Sequence, residues 1–167
     1  MVPDLIRPAR DEDAEGLIAL IGACWAEYDG CILDVDGEVP ELRAIASYFG
    51  GNGGRFWIGE AAGRLVASVG FLPSGAGLEL CKLYVDRSQR RSGLGRRLVG
   101  LVETVAVERR LPFVELWSDT RFGDAHRLYE RLGYERRATR AVDDISRTVE
   151  YHYRKTLAAP DGPRAIA

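Results

Sequence analysis

An arginine-rich turn with two closely spaced glycines is the part of this sequence best suited to chemistry. It follows an apolar segment, precedes a helical pattern, and reads Arg90-Arg91-Ser92-Gly93-Leu94-Gly95-Arg96. The first N–H groups of a helix have no carbonyl partner and lie at the positive end of the helix dipole. Glycine also lets an anion approach the backbone closely. The segment therefore predicts a phosphate site at the start of a helix.

Three kinds of phosphate-binding turn can be compared with this segment. A P-loop requires Lys and then Ser or Thr after its last glycine, but Gly95 is followed by two arginines. A dinucleotide fingerprint needs a third glycine where Leu98 stands, and it usually follows the first strand of a domain. The pattern Arg-x-x-Gly-x-Gly directly after a strand fits Arg90 to Gly95 without adjustment. A dinucleotide-binding protein stays as a separate alternative, which stabilisation of the protein by NAD would indicate.

Hydrophobic periodicity and turn residues predict the elements that must position this turn. Strands are expected at 4–7, 55–61, 65–72, 78–85, 113–117, 134–140 and 148–155. Helices are expected after a cap at Asp11 or Asp13, over 40–49, from position 94, and over 124–132, with a loop over 28–39. This order predicts an α/β domain with a mixed sheet, in which an antiparallel meander precedes a strand–helix–strand crossover. We expect one domain over residues 1–157 and a frayed tail over 158–167.

Three further segments accompany the turn. Leu83-Tyr84-Val85 precedes it, His126 to Tyr134 reads as a helix closed by Gly133-Tyr134, and Ile6-Arg7-Pro8-Ala9-Arg10 opens the chain. Together these segments resemble the GNAT superfamily of acyl-coenzyme A-dependent N-acetyltransferases, whose coenzyme A signature is (Gln/Arg)-x-x-Gly-x-(Gly/Ala). The resemblance covers residues 4–154 and implies a GNAT-like fold. Such a fold has a central mixed sheet of about six or seven strands, about four flanking helices, and a strand pair that splays at the cofactor site.

The resemblance also implies acetyl-coenzyme A as the acyl donor, and no metal is expected because neither histidine is in a metal-ligand pattern. Backbone amides and arginine side chains of the turn would hold the pyrophosphate, although Arg90 or Arg91 could instead meet the 3′-phosphate or only water. The strands 78–85 and 113–117 would take the pantetheine arm between them, with main-chain groups from Leu83 and Val85. One of those amides would polarise the thioester carbonyl, which can be worth about 3 kcal/mol. The cofactor residues are thus Leu83, Val85, Arg90, Arg91, Ser92, Gly93, Leu94, Gly95 and Arg96.

Two proton-transfer roles follow from the resemblance. Tyr129 matches the family's general acid, which protonates the leaving thiolate, although a buried tyrosine on an amphipathic helix would look the same. Glu79 lies fourteen residues before Gly93, where some members carry their base. At about 3.3 Å per residue it lies roughly 13 Å from Leu83 and would act through water. Glu115, Asp34 and Asp36 are the competing bases.

The acidic and aromatic segment 25–41 is the expected acceptor site. Trp25, Tyr28, Asp34 and Asp36 suggest a pocket for a cation with some apolar body, although an ordinary solvated surface is the alternative. Asp119 could bind the amine or cap the next helix, and of these we favour the cap. The predicted reaction is acetyl transfer to a primary amine of a small molecule or peptide, by direct attack in a ternary complex. A non-catalytic acyl-coenzyme A-binding or sensing module is the alternative.

Composition limits the partners and the compartment. The net charge of −2 and the pI of about 5.8 give no indication of nucleic acid or an anionic membrane as partner. Three cysteines without a Cys-x-x-Cys pair, and no N-terminal signal pattern, predict a reduced cytoplasmic protein. The two histidines are not in a metal-binding pattern. A C-terminal strand over 148–155 could pair across a homodimer.

Overall fold

A computed structural model describes residues 5–158 of the chain. The strands are β1 Leu5–Pro8, β2 Arg55–Ala61, β3 Arg64–Ser74, β4 Gly77–Val85, β5 Phe113–Asp119, β6 Glu135–Ala141 and β7 Val149–Thr156. The α-helices are α1 Ala14–Trp25, α2 Val35–Glu38, α3 Ile45–Gly51, α4 Leu94–Glu108 and α5 Gly123–Arg131. Short 3₁₀ turns cover Asp11–Asp13, Pro40–Ala44 and Arg87–Gln89. Asp4, and the part of the expected tail beyond Ala158, lie outside the described residues.

One mixed sheet contains all seven of the described strands, in the order β1-β2-β3-β4-β5-β7-β6. Within it β4 and β5 pair in parallel, with α4 as the crossover between them, and the other neighbours pair antiparallel. One face of the sheet packs against α4, whose Leu94, Leu98 and Val102 are buried. The opposite face packs against α1 and α3, through side chains such as Leu17 and Phe49. The predicted α/β class with a mixed sheet is confirmed.

The parallel strands β4 and β5 separate soon after they meet. They pair only at Leu78 with Val114 and at Glu79 with Glu115. Beyond that point Lys82 has a left-handed backbone, with φ of 51°, and the register between β4 and β3 shifts between Ser68 and Gly70. Such a bulge bends a strand and increases its twist. The expected splayed strand pair is therefore present, and a bulge in β4 accompanies it.

Two predicted elements differ from the structure. The segment 28–39 is not all loop, because it contains the short helix α2, whose Asp34 carboxylate accepts a hydrogen bond from the Gly37 N–H at 2.9 Å. The expected helix over 40–49 divides into a 3₁₀ turn and α3, which runs on to Gly51. There the Gly54 N–H bonds to the Phe49 carbonyl at 2.7 Å, which closes the helix end. A single hydrophobic period cannot distinguish these short helical forms.

Neither aspartate predicted to cap α1 does so with its side chain. The Asp13 carboxylate instead accepts hydrogen bonds from Arg7, at 2.8 and 2.9 Å, and from the Arg10 N–H, at 2.7 Å. The Asp11 carboxylate accepts one from the N–H of Ser47 in α3, at 2.9 Å. Asp13 therefore joins α1 to the neighbouring β1, and Asp11 joins it to the distant α3, which the local capping pattern does not reveal.

The expected dimer strand over 148–155 is also corrected. It corresponds to β7, which lies between β5 and β6 and has both edges paired. A strand paired on both edges cannot add a further strand from another chain. The sheet edges among residues 5–158 are instead β1 and β6. Within that range no helix is long and apolar enough to cross a bilayer.

Candidate functional site

The divergence of β4 and β5 opens a cavity of about 310 Å³. Aromatic rings make up much of its wall, namely Trp25, Tyr84, Trp117, Phe122 and Tyr129. Four carboxylates also line it, from Glu79, Asp119, Asp144 and Glu150, against the two cationic side chains of Lys82 and Arg140. Among the residues predicted from sequence, it brings together Trp25, Glu79, Leu83, Asp119 and Tyr129. The cavity therefore has an aromatic wall and an excess of negative charge.

Tyr129 lies on α5 and is only 4% exposed. Its ring packs 5.9 Å from the Tyr134 ring and 5.8 Å from the Tyr153 ring, measured between centroids. No other residue in the described range hydrogen-bonds its hydroxyl. Burial, with a smaller contribution from Tyr84, raises the pKa of Tyr129 above its ordinary value. The phenol therefore stays protonated at neutral pH, with its proton available to a ligand.

Glu79 stands at the last paired position before the strands diverge. It is half-buried, and within residues 5–158 no side chain forms an ion pair with its carboxylate. Burial raises the pKa of Glu79; Arg140 opposes this shift, and the nearby Glu115 and Glu150 add to it. A carboxylate with a raised pKa and no fixed partner is suited to accept a proton.

Glu115, a competing base, is fully engaged elsewhere. It accepts hydrogen bonds from Arg154 at 2.6 Å and from Ser74 at 2.7 Å, and lies 2.8 Å from His152 Nε2. Burial acts to raise the pKa of Glu115, but these partners outweigh it and the pKa is lowered. Glu115 is not among the residues that line the cavity. Its carboxylate binds strands together and has no access to a ligand there.

The acidic segment is distributed differently from the prediction. Asp34 caps α2, and Asp36 forms an exposed pair with Arg43 at 2.7 Å, so neither carboxylate lines the cavity. Tyr28 does not line the cavity; its ring packs in a tilted arrangement against Phe122 of the wall, with ring centroids 4.9 Å apart. Trp25 does line the cavity, and its Nε1 donates to the Tyr84 hydroxyl at 2.9 Å.

Asp119 is not the cap of α5, so that preference was wrong. The N-cap position is Phe122, which makes no side-chain cap. The Asp119 carboxylate accepts instead from the Arg121 N–H at 2.9 Å and from its guanidinium at 2.7 Å. Asp119 is 7% exposed, so this pairing removes the cost of a nearly buried unpaired charge.

Several wall residues were not found by sequence reasoning. Arg140, Val142, Asp144 and Ser146 reach the cavity from the β6 end and the connection that follows it. Nothing in the local sequence indicates this, because the antiparallel pairing of β7 with β5 brings that connection to the cavity. Thr148 and Glu150 also line the cavity, and their spacing of two residues is the strand period that could have found them.

The glycine turn has the backbone of an anion site. Arg91 and Gly93 both have left-handed backbones, with φ of 61° and 83°. The N–H of Arg97 donates to the Gly93 carbonyl at 3.1 Å and begins the helical ladder, so the preceding N–H groups have no carbonyl partner within α4. Left-handed residues next to a helix start favour convergent N–H groups that bind anions. Leu94 is buried and Ser92 Oγ donates to the Gln89 carbonyl at 2.6 Å, so only their backbones are suited to a ligand.

Arg90 holds the turn in place and is not a free cation. Its guanidinium donates to both oxygens of Glu27, at 2.8 and 2.6 Å, and its Nε donates to the Val85 carbonyl at 3.0 Å. It therefore joins the residues just after α1 to the end of β4. The Val85 carbonyl is occupied by this bond, which leaves the Val85 N–H among the main-chain groups predicted to meet the cofactor. Arg91, Arg96 and Arg97 are exposed and form no ion pair within residues 5–158.

Comparison with known proteins agrees with this geometry. The model of the acetyltransferase (GNAT) family matches residues 17–134. N-acetyltransferase 8 of Homo sapiens is 30% identical over 118 residues, which make up 67% of this chain and 50% of that protein. N-acetyltransferase 8 of Rattus norvegicus is 28% identical over 137 residues, or 78% of this chain and 60% of that protein. The chain thus spans about half of the length of the curated relatives it matches.

Solved structures share the fold. A GNAT-family acetyltransferase from Staphylococcus aureus Mu50 superposes with a TM-score of 0.78 at 20% identity, covering 92% of this chain and 99% of that one. The PaiA N-acetyltransferase of Thermoplasma acidophilum, solved in complex with coenzyme A, superposes with a TM-score of 0.69 at 16% identity. The superposition covers 92% of this chain and 98% of that one. Because the family model matches well over half of its length, the chain belongs to the acetyltransferase (GNAT) family.

Proposed function

We propose that this protein is an N-acetyltransferase that moves an acetyl group from acetyl-coenzyme A to a primary amine by direct attack in a ternary complex. The observation that carries the proposal is the pairing of two groups in one cavity. Glu79 supplies a carboxylate without a cation partner, and Tyr129 supplies a hydroxyl without a hydrogen-bond partner among the described residues. The Glu79 carboxylate can accept a proton, and the Tyr129 hydroxyl can donate one.

The donor would bind along the turn and the gap between strands. Residues 80–85 of β4 pair only with β3 in the described sheet, so their other edge faces the gap toward β5. That free edge, with the N–H groups of Leu83 and Val85, fits the amides of a pantetheine arm. The N–H groups from Arg91 to Arg96 fit a pyrophosphate, with Arg91 and Arg96 adding charge. Acetyl-coenzyme A supplies the activated acetyl group when it is bound.

Proton movement then divides between two side chains. An alkylammonium has a pKa near that of lysine, about 10, and must lose a proton before it can attack. Glu79 would take that proton, through water where the distance requires it, since its raised pKa brings it nearer to neutral. Tyr129 would give its proton to the departing sulfur, because a thiol leaves more easily than a thiolate. As the amine nitrogen gains the acetyl group and the carbon–sulfur bond breaks, the nitrogen would lose its second proton, which would restore the Tyr129 phenol. The proton on Glu79 would pass to solvent, so each turnover would release one proton and coenzyme A as its thiol.

The acceptor's charge is matched by the cavity. Among residues 5–158, Glu79 and Asp144 have no cation within salt-bridge distance of their carboxylates. Trp25 and Phe122 add aromatic rings to the wall, whereas the Trp117 ring already carries the Arg140 guanidinium, 3.8 Å from its centroid. Carboxylates and aromatic faces together favour a cationic amine with an apolar body. Asp119, already paired with Arg121, would contribute to the wall and not bind the amine itself.

A panel of amines with thiol detection tests this proposal. We expect acetyl-coenzyme A to raise the melting temperature, since any ligand selective for the folded state must do so. We also expect release of free coenzyme A that depends on the amine. A non-catalytic acyl-coenzyme A sensor would show the stabilisation without amine-dependent release. Stabilisation by NAD in place of coenzyme A would contradict both functions.

A further inference from the structure

Two loops distant in sequence meet at the cavity. The α1–α2 loop comprises residues 26–34, and the β6–β7 loop comprises residues 142–148. The Ile32 N–H donates to Ser146 Oγ at 2.9 Å, and Ser146 Oγ donates to the Ile32 carbonyl at 3.2 Å. The Ile145 N–H donates to Glu38 of α2 at 2.8 Å. Since Cys31 and Ser146 both line the cavity, these bonds close one side of it.

Arg121 joins both loops to the end of β5. Its guanidinium holds the Asp119 carboxylate at 2.7 Å. From the same guanidinium, Nη1 donates to the Asp29 carbonyl at 3.3 Å, and Nη2 lies 3.4 Å from the Ser146 carbonyl. Nη2 also lies 3.5 Å from Thr148 Oγ1. One side chain thus contacts three separate segments of the cavity wall.

Only arginine can make this set of contacts. Its planar fork presents five donors in a fixed geometry, whereas lysine offers one nitrogen on a flexible stem. Asp119 fixes the fork because its side chain is only 8% exposed and needs a cation beside it. Asp119 lies at the end of β5, and Arg121 binds it while also contacting both loops. Arg121 therefore holds the two loops against the sheet as well as against each other.

We propose that Arg121 is a positioning residue that clasps the two loops together and thereby restricts the acceptor to small amines. This inference rests on the proposed acetyl transfer. The cavity of about 310 Å³ lies at the small end of the range for small-molecule sites, about 300–1,000 Å³. That room suits a small arylalkylamine beside the acetyl group. A peptide chain would need the loops to part.

Hydrogen exchange tests the clasp without reference to activity. Arg121→Lys keeps the charge beside Asp119 but loses the fork. We expect backbone amides in 29–33 and 142–148 to exchange about tenfold faster in that variant, because exchange reports local opening. Arg127→Ala is the control, since among the described residues Arg127 forms an ion pair only with Asp124, on the surface of α5. Equal exchange in wild type and Arg121→Lys would overturn the clasp.

Selectivity between a small amine and a peptide tests the proposed restriction of the acceptor. With 2-phenylethylamine and a hexapeptide carrying a free N-terminus and one lysine, we expect wild type to favour the small amine. Arg121→Lys should raise KM for 2-phenylethylamine and raise the relative kcat/KM for the hexapeptide, with KM for acetyl-coenzyme A unchanged. Equal use of both amines by wild type would overturn the size restriction. Release of no coenzyme A with any amine would instead overturn the proposed function, and the exchange experiment would still decide the clasp.

Discussion

Glu79 and Glu115 occupy directly paired positions on the parallel strands β4 and β5, yet only Glu115 is neutralised. Arg154 binds Glu115 at 2.6 Å, and Ser74 and His152 complete its shell. Glu79 has no such partner within the described chain and lines the cavity. The pKa values of the two carboxyls are shifted in opposite directions. Two identical residues side by side are therefore suited to different tasks, one to accept protons and the other to hold the sheet.

Replacing Glu79 with glutamine should slow the reaction while preserving the fold. We expect kcat to fall by about 100-fold at neutral pH, the usual contribution of a general base. In wild type the rate should rise with pH through the raised pKa of Glu79, and this rise should be absent in Glu79→Gln. Initial rates of thiol release across pH measure both effects. Glu108→Gln, an exposed position at the end of α4, serves as the control.

The same variant makes a prediction for stability. A carboxyl whose pKa is higher in the folded chain than in the unfolded chain stabilises the fold fully at low pH, and that contribution is lost as pH rises through the folded pKa. Because the pKa of Glu79 is raised, the wild-type fold loses stability at high pH as the carboxyl ionises, and glutamine, which cannot ionise, should remove that loss. We expect the melting temperature of Glu79→Gln to equal or exceed that of wild type at pH 8. A clear decrease there would show that Glu79 has a structural role.

Replacing Tyr129 with phenylalanine removes only the hydroxyl. Since no hydrogen bond to that hydroxyl is present in the described structure, the fold should tolerate the change. We expect kcat to fall by about 100-fold with little change in acetyl-coenzyme A affinity, as for loss of a general acid. Tyr153→Phe, from the same ring cluster, should retain kcat. Full activity in Tyr129→Phe would remove the general-acid assignment.

Two glycines provide a matched pair for the phosphate turn. Gly93 and Gly63 have similar left-handed backbones, with φ of 83° and 72°, and a Cβ at either would meet no protein atom within 4 Å. Alanine at either position should therefore cost about 1–2 kcal/mol of stability through backbone strain. Only Gly93→Ala should also raise KM for acetyl-coenzyme A, because its Cβ lies where the phosphate is expected. An equal rise in Gly63→Ala would mean that stability alone causes the effect.

The arginines of the turn should separate into two classes. Arg90→Ala removes the bonds to Glu27 and Val85 and should lower the free energy of unfolding by about 1–3 kcal/mol. The double variant Arg91→Ala, Arg96→Ala should leave stability unchanged but raise KM for acetyl-coenzyme A by about tenfold. That rise should shrink at high salt, because salt screens exposed charges. Thermal unfolding and donor titration at two salt concentrations measure both classes.

Most of the fold is predictable from local pattern. The strand 78–85, the helix that begins at Leu94 and the closing Gly133 all follow from periodicity and glycine placement, and the splayed pair follows from the family resemblance. Where prediction failed, a side-chain contact outside the local pattern decided the outcome. Asp13 occupies the N-cap position of α1, but its carboxylate binds Arg7 and the Arg10 N–H, and Arg90 binds Glu27 across 63 positions of sequence.

The acceptor side was less predictable because both local pairing and tertiary pairing decide which side chains line the cavity. The acidic residues Asp34 and Asp36 are close in sequence to Trp25, but local capping and pairing turn both away from the cavity. Asp144 and Ser146 reach it through the β7 pairing, which no local pattern encodes. Composition can therefore indicate a cationic acceptor, whereas the residues that meet it depend on the tertiary arrangement of the two loops.

A single-turnover experiment tests the central claim most directly. The protein in excess over acetyl-coenzyme A is mixed with 2-phenylethylamine, and mass spectrometry follows the acetyl group on the amine and on the intact chain. Direct transfer predicts that acetylated amine and free coenzyme A appear in equal amounts while the chain never gains an acetyl group. An acetylated chain that forms before the product would contradict direct attack. Acetyl-coenzyme A that binds but stays intact with this amine and with the whole amine panel would contradict the proposed enzyme itself.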